Sequence, residues 1–426
     1  MDLIIRNAHL RGTDGLRDIG IEDKKIAAVE EHLSAPAARE IDAQGKLVSP
    51  PFIDPHVHLD AVFLEGRTVH NKTGTLLEGI ANWGIEKETL TEDEILANAR
   101  KAVRWYVANG VLKIRTHVDT TLKSLINLRA LLRLKEEVKE FVDIQIVAFP
   151  QDGIFTDPSF SALMEEAVKA GCGVVGGIPH NEFTREDGVS DVIRAFDLAE
   201  KYGCLIDIHC DETGDPESRF IEVMAKETIN RGLQGRVTAS HATAMHNYNN
   251  DYAFKLIGIL KRAGMNVVTN PFDNSVLQNR NDGYPRHRGH TRVDELLKRG
   301  VNVCIGHDSI MDPWYPMGKA SMLSAASLFL HYGHFSGYDD IPALFDMITV
   351  NSAKTMCVEN EYGIDKGKPA DLIILDAPDE YEAIRLESEC LYVIRHGTVI
   401  SECTPARRVL YTGTKPREVT FSRNEQ

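Results

Sequence analysis

The chain has 426 residues, of which 43% are hydrophobic and 26% are charged, and its formal net charge is -15. This length suits one large domain with a smaller one, and the composition is typical of a folded globular protein. The acidic balance argues against a protein that binds a nucleic-acid backbone, because such proteins carry clustered Lys and Arg.

The cysteines and the apolar runs bear on the compartment. The 7 cysteines are scattered and form no CxxC pair, which indicates reduced thiols in a reducing compartment. The first residues lack the long apolar stretch of a signal peptide, and no apolar run approaches the ~18–20 residues of a membrane helix. We therefore expect a cytoplasmic protein that does not associate with membranes.

The elements change character along the chain. Residues 1–50 contain short alternating apolar runs broken by Gly and Asp, which predict antiparallel strands, and residues 366–426 have the same pattern. Between them, short apolar runs alternate with long amphipathic segments, as in βα units. Eight runs predict inner strands, at 52–59, 111–118, 143–149, 173–179, 204–210, 236–241, 266–270 and 302–308. The sequence thus predicts an α/β fold: a (β/α)8 TIM barrel over residues 51–365, with a small β-sandwich domain formed by residues 1–50 and 366–426.

Histidines and one aspartate occur at the carboxyl ends of these strands, where TIM barrels carry their chemistry. In "DPHVHLD", His56 and His58 are two residues apart and face the same side of a strand. His209 ends the fifth strand and Asp308 the eighth. Imidazole suits zinc and iron(II), so these four residues predict a mononuclear metal site whose bound water has a pKa near ~7. Alone, an HxH pair would sooner indicate two hydrogen-bonded histidines.

Two further residues follow the ligand-bearing strands. Glu212, three residues after His209, can move protons between water and substrate; a charge at a helix entry is the less favoured alternative. His241, at the end of the sixth strand, can orient a water molecule or stabilise charge. Cys210 should face away from His209 and serve packing.

These residues resemble the pattern of the amidohydrolase superfamily: HxH on strand 1, His on strands 5 and 6, Asp on strand 8, and a small domain made from both termini. Longer segments are similar to those of bacterial cytosine deaminases over nearly the whole chain. The segments are "SPPFIDPHVHLD", "TGTLLEGI", "RTHVD", "IVAFPQDGI", "IPHNEFTRE", "IDIHCDE", "VTASHATAMHNYN" and "GHDSIMDPWYPMG".

The resemblance implies hydrolytic deamination of a free pyrimidine base, cytosine or 5-methylcytosine, to uracil or thymine plus ammonia by attack at C4. It implies one divalent ion per subunit, Fe²⁺ or Zn²⁺, and a homo-oligomer that acts on a nucleobase. Within the site, Glu212 would shuttle protons, His241 would assist the water and Asp308 would accept its proton. The substrate contacts implied are Gln151 at the amide edge of the pyrimidine, with Leu76, Trp314 and Phe149 near the ring.

The sequence departs from this family after the strand 8 histidine. Where cytosine deaminases carry two acids, Ser309 takes the second place. If Ser309 lies against the ring, the pocket gains space and loses a charge, so that a C5 methyl group fits; if it points away, it has no such effect. Asp273 and Ser275 in "NPFDNSVLQNR" also differ from the usual segment, which bears on the substrate.

Other readings remain open at this point. Isoguanine, creatinine or an aminotriazine would use the same metal site. A non-enzymatic scaffold is disfavoured because all four ligands are present. A binuclear hydrolase is disfavoured because neither residues 143–149 nor 173–179 contain the lysine that would bridge two metals, and the H-x-E and P-C-x-x-C motifs of another deaminase class are absent.

Overall fold

The computed structural model describes residues 1–413 and 415–421. The chain begins with a small four-stranded sheet in the order β3-β2-β1-β4. Its strands are β1 (Leu3–His9), β2 (Leu16–Glu22), β3 (Lys25–Glu30) and β4 (Arg39–Asp42). The next strand in the chain, β5 (Val48–Ser49), lies outside this sheet. The expectation of purely antiparallel strands is wrong for β4, which pairs with β1 in parallel. The chain crosses from β3 to the opposite edge of the sheet before β4 begins, and such a crossover allows a parallel pair.

The predicted (β/α)8 barrel is confirmed by a sheet of eight parallel strands in sequential order. They are β6 (Phe52–Val57), β7 (Val111–Asp119), β8 (Asp143–Phe149), β9 (Val174–Val175), β10 (Leu205–Cys210), β11 (Val237–His241), β12 (Asn266–Thr269) and β13 (Asn302–Ile305). The barrel closes where the Asp308 amide donates to the His56 carbonyl at 2.8 Å and the His58 amide donates to the Asp308 carbonyl at 3.1 Å. The closure itself therefore fixes three predicted ligands next to one another.

One strand is much shorter than its sequence suggested. Residues 173–179 predict a full strand, but β9 ends at Val175. A Cβ atom on Gly176 would lie 2.8 Å from the Ala148 carbonyl, and Pro179 opens a 3-10 helix without an amide to donate. Gly176 still donates to the Ala148 carbonyl and Gly177 still accepts from the His209 amide, and the regular pairing ends before Pro179 opens the 3-10 helix.

Helices alternate with the barrel strands and cover the outside of the sheet. They are α1 (Leu76–Lys87), α2 (Glu92–Ala108), α3 (Ile126–Val138), α4 (Phe160–Ala170), α5 (Arg185–Tyr202), α6 (Phe220–Arg231), α7 (Asn250–Ala263), α8 (Pro271–Leu277), α9 (Val293–Lys298), α10 (Met322–Tyr332), α11 (Asp340–Met347), α12 (Val350–Thr355) and, beyond the barrel, α13 (Glu380–Leu386), with 3-10 helices Pro179–Asn181 and Thr243–Asn247. Local signals set several ends: Thr91 and Glu94 form a capping box on α2, and Gly203 ends α5 with φ +70°.

Strands from the C-terminal part complete the small domain. They are β14 (Leu372–Leu375), β15 (Cys390–Arg395), β16 (Thr398–Glu402), β17 (Val409–Leu410) and β18 (Arg417–Glu418). β14 pairs with β5, which gives a second four-stranded sheet in the order β16-β15-β14-β5. Leu3 and Ile5 lie in one buried cluster with Leu372, Ile374 and Ile394, so the two small sheets share a core. The predicted small β-domain made from both ends of the chain is thus present, while its limits at residues 50 and 366 stay a prediction.

Every helix within residues 1–413 and 415–421 is too short or too polar to span a membrane.

Candidate active site

Four predicted metal ligands converge at the carboxyl end of the barrel. The Nε2 atoms of His58 and His209 are 3.1 Å apart. Asp308 Oδ1 lies 3.4 Å from His56 Nε2 and 3.5 Å from His58 Nε2. β6, β10 and the segment after β13 bring these atoms together from three places in the sequence.

The chemistry of this donor set fits a divalent metal ion. Three imidazole nitrogens face one another, and His56 Nε2 has no hydrogen-bond partner among the described residues. Burial and the neighbouring histidines lower the pKa values of His56, His58 and His209 well below the usual range, which keeps the rings neutral. Neutral imidazoles with a carboxylate are the ligands that zinc and iron(II) take in hydrolases. A cation would satisfy the buried nitrogens that the protein leaves unpaired.

A buried polar chain holds the orientation of one ligand. His56 Nδ1 lies 2.9 Å from Ser240 Oγ, and that hydroxyl donates to Asp207 Oδ1 at 2.6 Å. Arg115 donates to the other Asp207 oxygen at 2.8 Å. Burial alone would raise the pKa of Asp207, but His117 and Arg115 lower it below the usual value. Partners of this kind fix the tautomer and ring position of a ligating histidine.

His56, His117 and Asp207 form another cluster whose ligand atoms lie within 4.8 Å of one another. Asp207 is already paired with the buried guanidinium of Arg115. The charge of a second metal ion would meet that cation, so we assign this cluster to the support of His56.

The predicted proton-transfer residues lie beside the ligands. His241 Nδ1 is 3.5 Å from Glu212 Oε1 and 3.8 Å from Asp308 Oδ2. Glu212 is 4% exposed and accepts a hydrogen bond from Gln278 Nε2 at 3.1 Å. Burial raises the pKa of Glu212 to about 8. A carboxyl group with this pKa can hold and release a proton near neutral pH, as a shuttle requires.

Backbone strain marks the same residues. His241 has φ +67° and Asp308 has φ +70°, in a backbone region that residues other than glycine rarely adopt. Such strain costs about 1–3 kcal/mol per residue and clusters at functional sites. The fold therefore holds these two side chains in place against a local preference.

A small pocket opens above the ligands. Its lining brings together most of the predicted site residues: His58, Leu76, Gln151, Ile178, His209, Glu212, His241, Asp273, Leu277, Asp308, Ser309 and Trp314. Leu76, Ile178, Leu277 and Trp314 give it apolar walls, and its other lining residues are polar or ionisable, so several polar groups converge on one small space.

Phe149 lies beside the pocket, and its predicted contact with the substrate ring stays a prediction. Phe149 is not among the described residues that line the pocket. Its ring stacks on His209, with centroids 4.1 Å apart and an interplanar angle of 21°. The end of β8 therefore places Phe149 against a ligand candidate, and we assign it to holding that imidazole.

Ser309 lines the pocket, where it contacts a carboxyl group from another element. Its hydroxyl donates to Asp273 Oδ1 at 2.8 Å, and Asp273 lines the same pocket. A carboxyl group is therefore present, supplied by α8 instead of the segment after β13. The sequence had marked both residues as unusual without showing that they touch.

Close packing fixes the ring of Trp314, and sequence reasoning did not identify the residues responsible. A Cβ atom on Gly79, inside α1, would lie 2.3 Å from Trp314 Cδ1. Trp83, one turn further along α1, lies 6.0 Å from Trp314 between ring centroids and donates from Nε1 to Asp119 at 2.8 Å. The only hint of this contact in the sequence was Gly79 itself, a glycine inside a helical pattern.

We expect Gly79→Ala to displace the Trp314 ring and to lower kcat/KM by about 10- to 100-fold, since small misplacements of a substrate contact have effects of this size. Gly84→Ala on the same helix is the matched control, because no atom lies within 4 Å of its added Cβ. Steady-state kinetics of both variants check this. Equal kinetics for a folded Gly79→Ala protein and its control would contradict the packing argument.

An eight-stranded βα barrel with three imidazoles and an aspartate at the carboxyl ends of its strands defines a metal-dependent hydrolase. The chain belongs to the amidohydrolase family, whose family model matches residues 39–401.

Relatives of this chain include deaminases. N-isopropylammelide isopropyl amidohydrolase of Pseudomonas sp. is 32% identical over 409 residues, 94% of this chain and 97% of that protein. A structure of 5-methylcytosine deaminase from Klebsiella pneumoniae, liganded with 5-fluorocytosine, is 45% identical, with a TM-score of 0.92 over 95% of this chain and 98% of that chain. A structure of N-isopropylammelide isopropylaminohydrolase from Burkholderia multivorans is 29% identical, with a TM-score of 0.83 over 94% of this chain and 99% of that chain. The chain is thus an aminohydrolase that acts on C–N bonds of cyclic compounds.

Proposed function

We propose that this protein hydrolyses the exocyclic C4–N bond of free 5-methylcytosine and cytosine, giving thymine or uracil and ammonia. The observation that carries the proposal is the pocket itself, where Glu212 and Gln151 line the same space as the predicted ligands His58, His209 and Asp308. The 45% identity to a 5-methylcytosine deaminase over nearly the whole chain supports the choice of substrate.

We assign His56, His58, His209 and Asp308 to one Fe²⁺ or Zn²⁺ ion per subunit. When bound, such an ion lowers the pKa of a coordinated water to about 7 and supplies a hydroxide nucleophile at neutral pH. We place the reacting carbon next to these four residues, within reach of Glu212.

The remaining steps belong to side chains of the pocket. Gln151 binds the amide edge of the pyrimidine and, with Leu76 and Trp314, orients the ring. Asp308 accepts a proton from the attacking water, and Glu212 delivers one to the ring nitrogen beside C4, which makes C4 electrophilic. His241 stabilises charge at the attacking oxygen. The proton that Asp308 accepted passes through Glu212 to the departing nitrogen, ammonia leaves, and the remaining proton of the attacking water restores Glu212.

Ser309 supports acceptance of the C5 methyl group. Its side chain is smaller than the acid expected at this position, and it lies in the pocket lining. The Ser309 hydroxyl donates a hydrogen bond to Asp273, so it points towards α8.

We expect Ser309→Asp to lower kcat/KM for 5-methylcytosine relative to cytosine by about 10-fold or more, because a methyl group that no longer fits changes binding by ~1–3 kcal/mol. Ser309→Ala, which keeps the space, is the control and should preserve the ratio. Ammonia release from both bases measures it. A ratio unchanged in Ser309→Asp would remove Ser309 from the account of substrate choice.

The substrate assignment is tested by ammonia release from cytosine, 5-methylcytosine, isoguanine, creatinine and an aminotriazine with metal-loaded protein. We expect 5-methylcytosine to have a kcat/KM at or above that of cytosine and far above the other three. Preference for creatinine, isoguanine or the triazine would retain the chemistry and overturn the substrate. Homo-oligomeric assembly and a cytoplasmic location stay predictions.

A further inference from the structure

We propose that Asp273 recognises the leaving amine: its Oδ2 accepts a hydrogen bond from the exocyclic N–H group at the carbon whose C–N bond breaks. The inference rests on the proposed function and names a residue that determines which leaving group the site accepts.

Asp273 is a buried carboxyl group with one oxygen still unpaired. It is 2% exposed and lies on α8, directly after β12. Oδ1 accepts the hydrogen bond from Ser309, while Oδ2 has no hydrogen-bond partner among the described residues. Leaving a buried polar atom unpaired costs about 1–3 kcal/mol, and such an atom calls for a partner outside the chain. Since Asp273 lines the pocket, a bound ring with an N–H group can supply it.

The barrel geometry indicates which N–H group this is. Gln151 follows β8 and Asp273 follows β12, and these strands are four places apart in a ring of eight. The two side chains therefore approach the pocket from opposite sides. In a pyrimidine, N1 and C4 occupy opposite corners of the ring. With Gln151 at the amide edge that contains N1, the amine on C4 points towards Asp273.

The neighbours of Asp273 agree with this placement. Ser309, which contacts Asp273, directly follows Asp308, one of the predicted ligands. Asp273, Glu212 and Asp308 line the same small pocket, so the three carboxyl groups surround one point of it. The reacting carbon must lie at that point, so its amine is the substituent within reach of Asp273.

The proposed contact does not depend on the charge of Asp273. Burial and the nearby Asp312 raise the pKa of Asp273 well above its usual range. An ionised carboxylate accepts hydrogen bonds at both oxygens. A neutral carboxyl group can keep its proton on Oδ1, towards the Ser309 hydroxyl, and still accept at the carbonyl oxygen Oδ2.

Asp273 neither gives nor keeps a proton in the reaction. The oxygen of water bonds to C4, the C4–N bond breaks, and the two protons of water end on ring nitrogen N3 and on the departing nitrogen, which leaves as ammonia. By holding an N–H group, Asp273 turns the lone pair of the amine towards Glu212. A methoxy leaving group has no hydrogen to offer and gains nothing from this contact.

The experiment compares Asp273→Asn with wild-type holoenzyme on 5-methylcytosine and on 5-methyl-4-methoxypyrimidin-2-one, both of which yield thymine. We expect kcat/KM for the amine to fall about 100-fold, the size of effect seen on loss of one preorganised hydrogen bond, and that for the methoxy compound to fall less than about 3-fold. Ser309→Ala should show a smaller loss with the same pattern. Ser275→Ala, on the same helix with its hydroxyl donating to the Phe272 carbonyl, is the control and should match wild type.

A second readout is the inhibition constant of 5-methylpyrimidin-2-one, which carries only hydrogen at C4. Asp273→Asn should bind it within about 3-fold of wild type, because the proposed contact is absent in this complex. Equal losses for amine, methoxy compound and inhibitor would overturn the inference and make Asp273 a general packing residue. An unchanged kcat/KM for the amine would also overturn it. Wild-type protein that converts neither compound would overturn the proposed function together with the inference.

Discussion

Replacement of Glu212 by glutamine is expected to lower kcat by about 10²–10⁴-fold, the usual contribution of a positioned general acid–base group. Glutamine keeps the size of the side chain and can still meet Gln278, but it cannot hold and release a proton. The metal content should change little, because Glu212 lies outside the predicted ligand set.

The matched control is Glu217→Gln. Glu217 follows in the same loop, its side chain is 75% exposed, and it pairs with Arg219 at 3.0 Å. Loss of this exposed charge should leave kcat unaltered. If Glu212→Gln kept kcat within a few-fold of wild type while binding metal normally, proton transfer would have to be assigned to another group.

Removal of one ligand should have the other large effect. His209→Asn takes away one of the three converging imidazoles, and we expect the metal content to fall and kcat to decrease by at least about 10⁴-fold, because the water would lose most of its pKa shift. Elemental analysis and kinetics after dialysis against zinc or iron(II) measure both quantities.

Thermal unfolding gives an independent readout of the same ligand. Metal at 100 times its Kd stabilises the native state by about 2.7 kcal/mol, so chelation should lower the Tm of wild type and leave His209→Asn unaffected. His246→Asn serves as the control, since His246 lies in a separate group of rings with His287 and His290. Full metal content and activity in His209→Asn would contradict the proposed ligand set.

The barrel and the converging ligands could be predicted from the sequence because the information is periodic and local. Strand parity places His56 and His58 on one side, and the carboxyl ends of parallel strands meet at one mouth. His209 and Asp308 are far apart in sequence, but each ends a strand, so the topology brings them together.

What the sequence did not reveal depends on distances between side chains. The hydrogen bond between Asp273 and Ser309 joins residues 36 positions apart and depends on how α8 leaves β12. The close approach of Gly79 to Trp314 follows from how α1 packs against the segment after β13, which no spacing in the sequence encodes. Phe149 stands at a strand end like the ligands, yet it packs on His209 instead of lining the pocket.

The most direct measurement is the mass of the product formed from 5-methylcytosine in ¹⁸O-labelled water by metal-loaded protein. The proposed reaction yields thymine carrying one ¹⁸O atom at C4, with one equivalent of ammonia. Thymine without the label, or unchanged 5-methylcytosine in the presence of bound metal, would contradict hydrolytic deamination of this base.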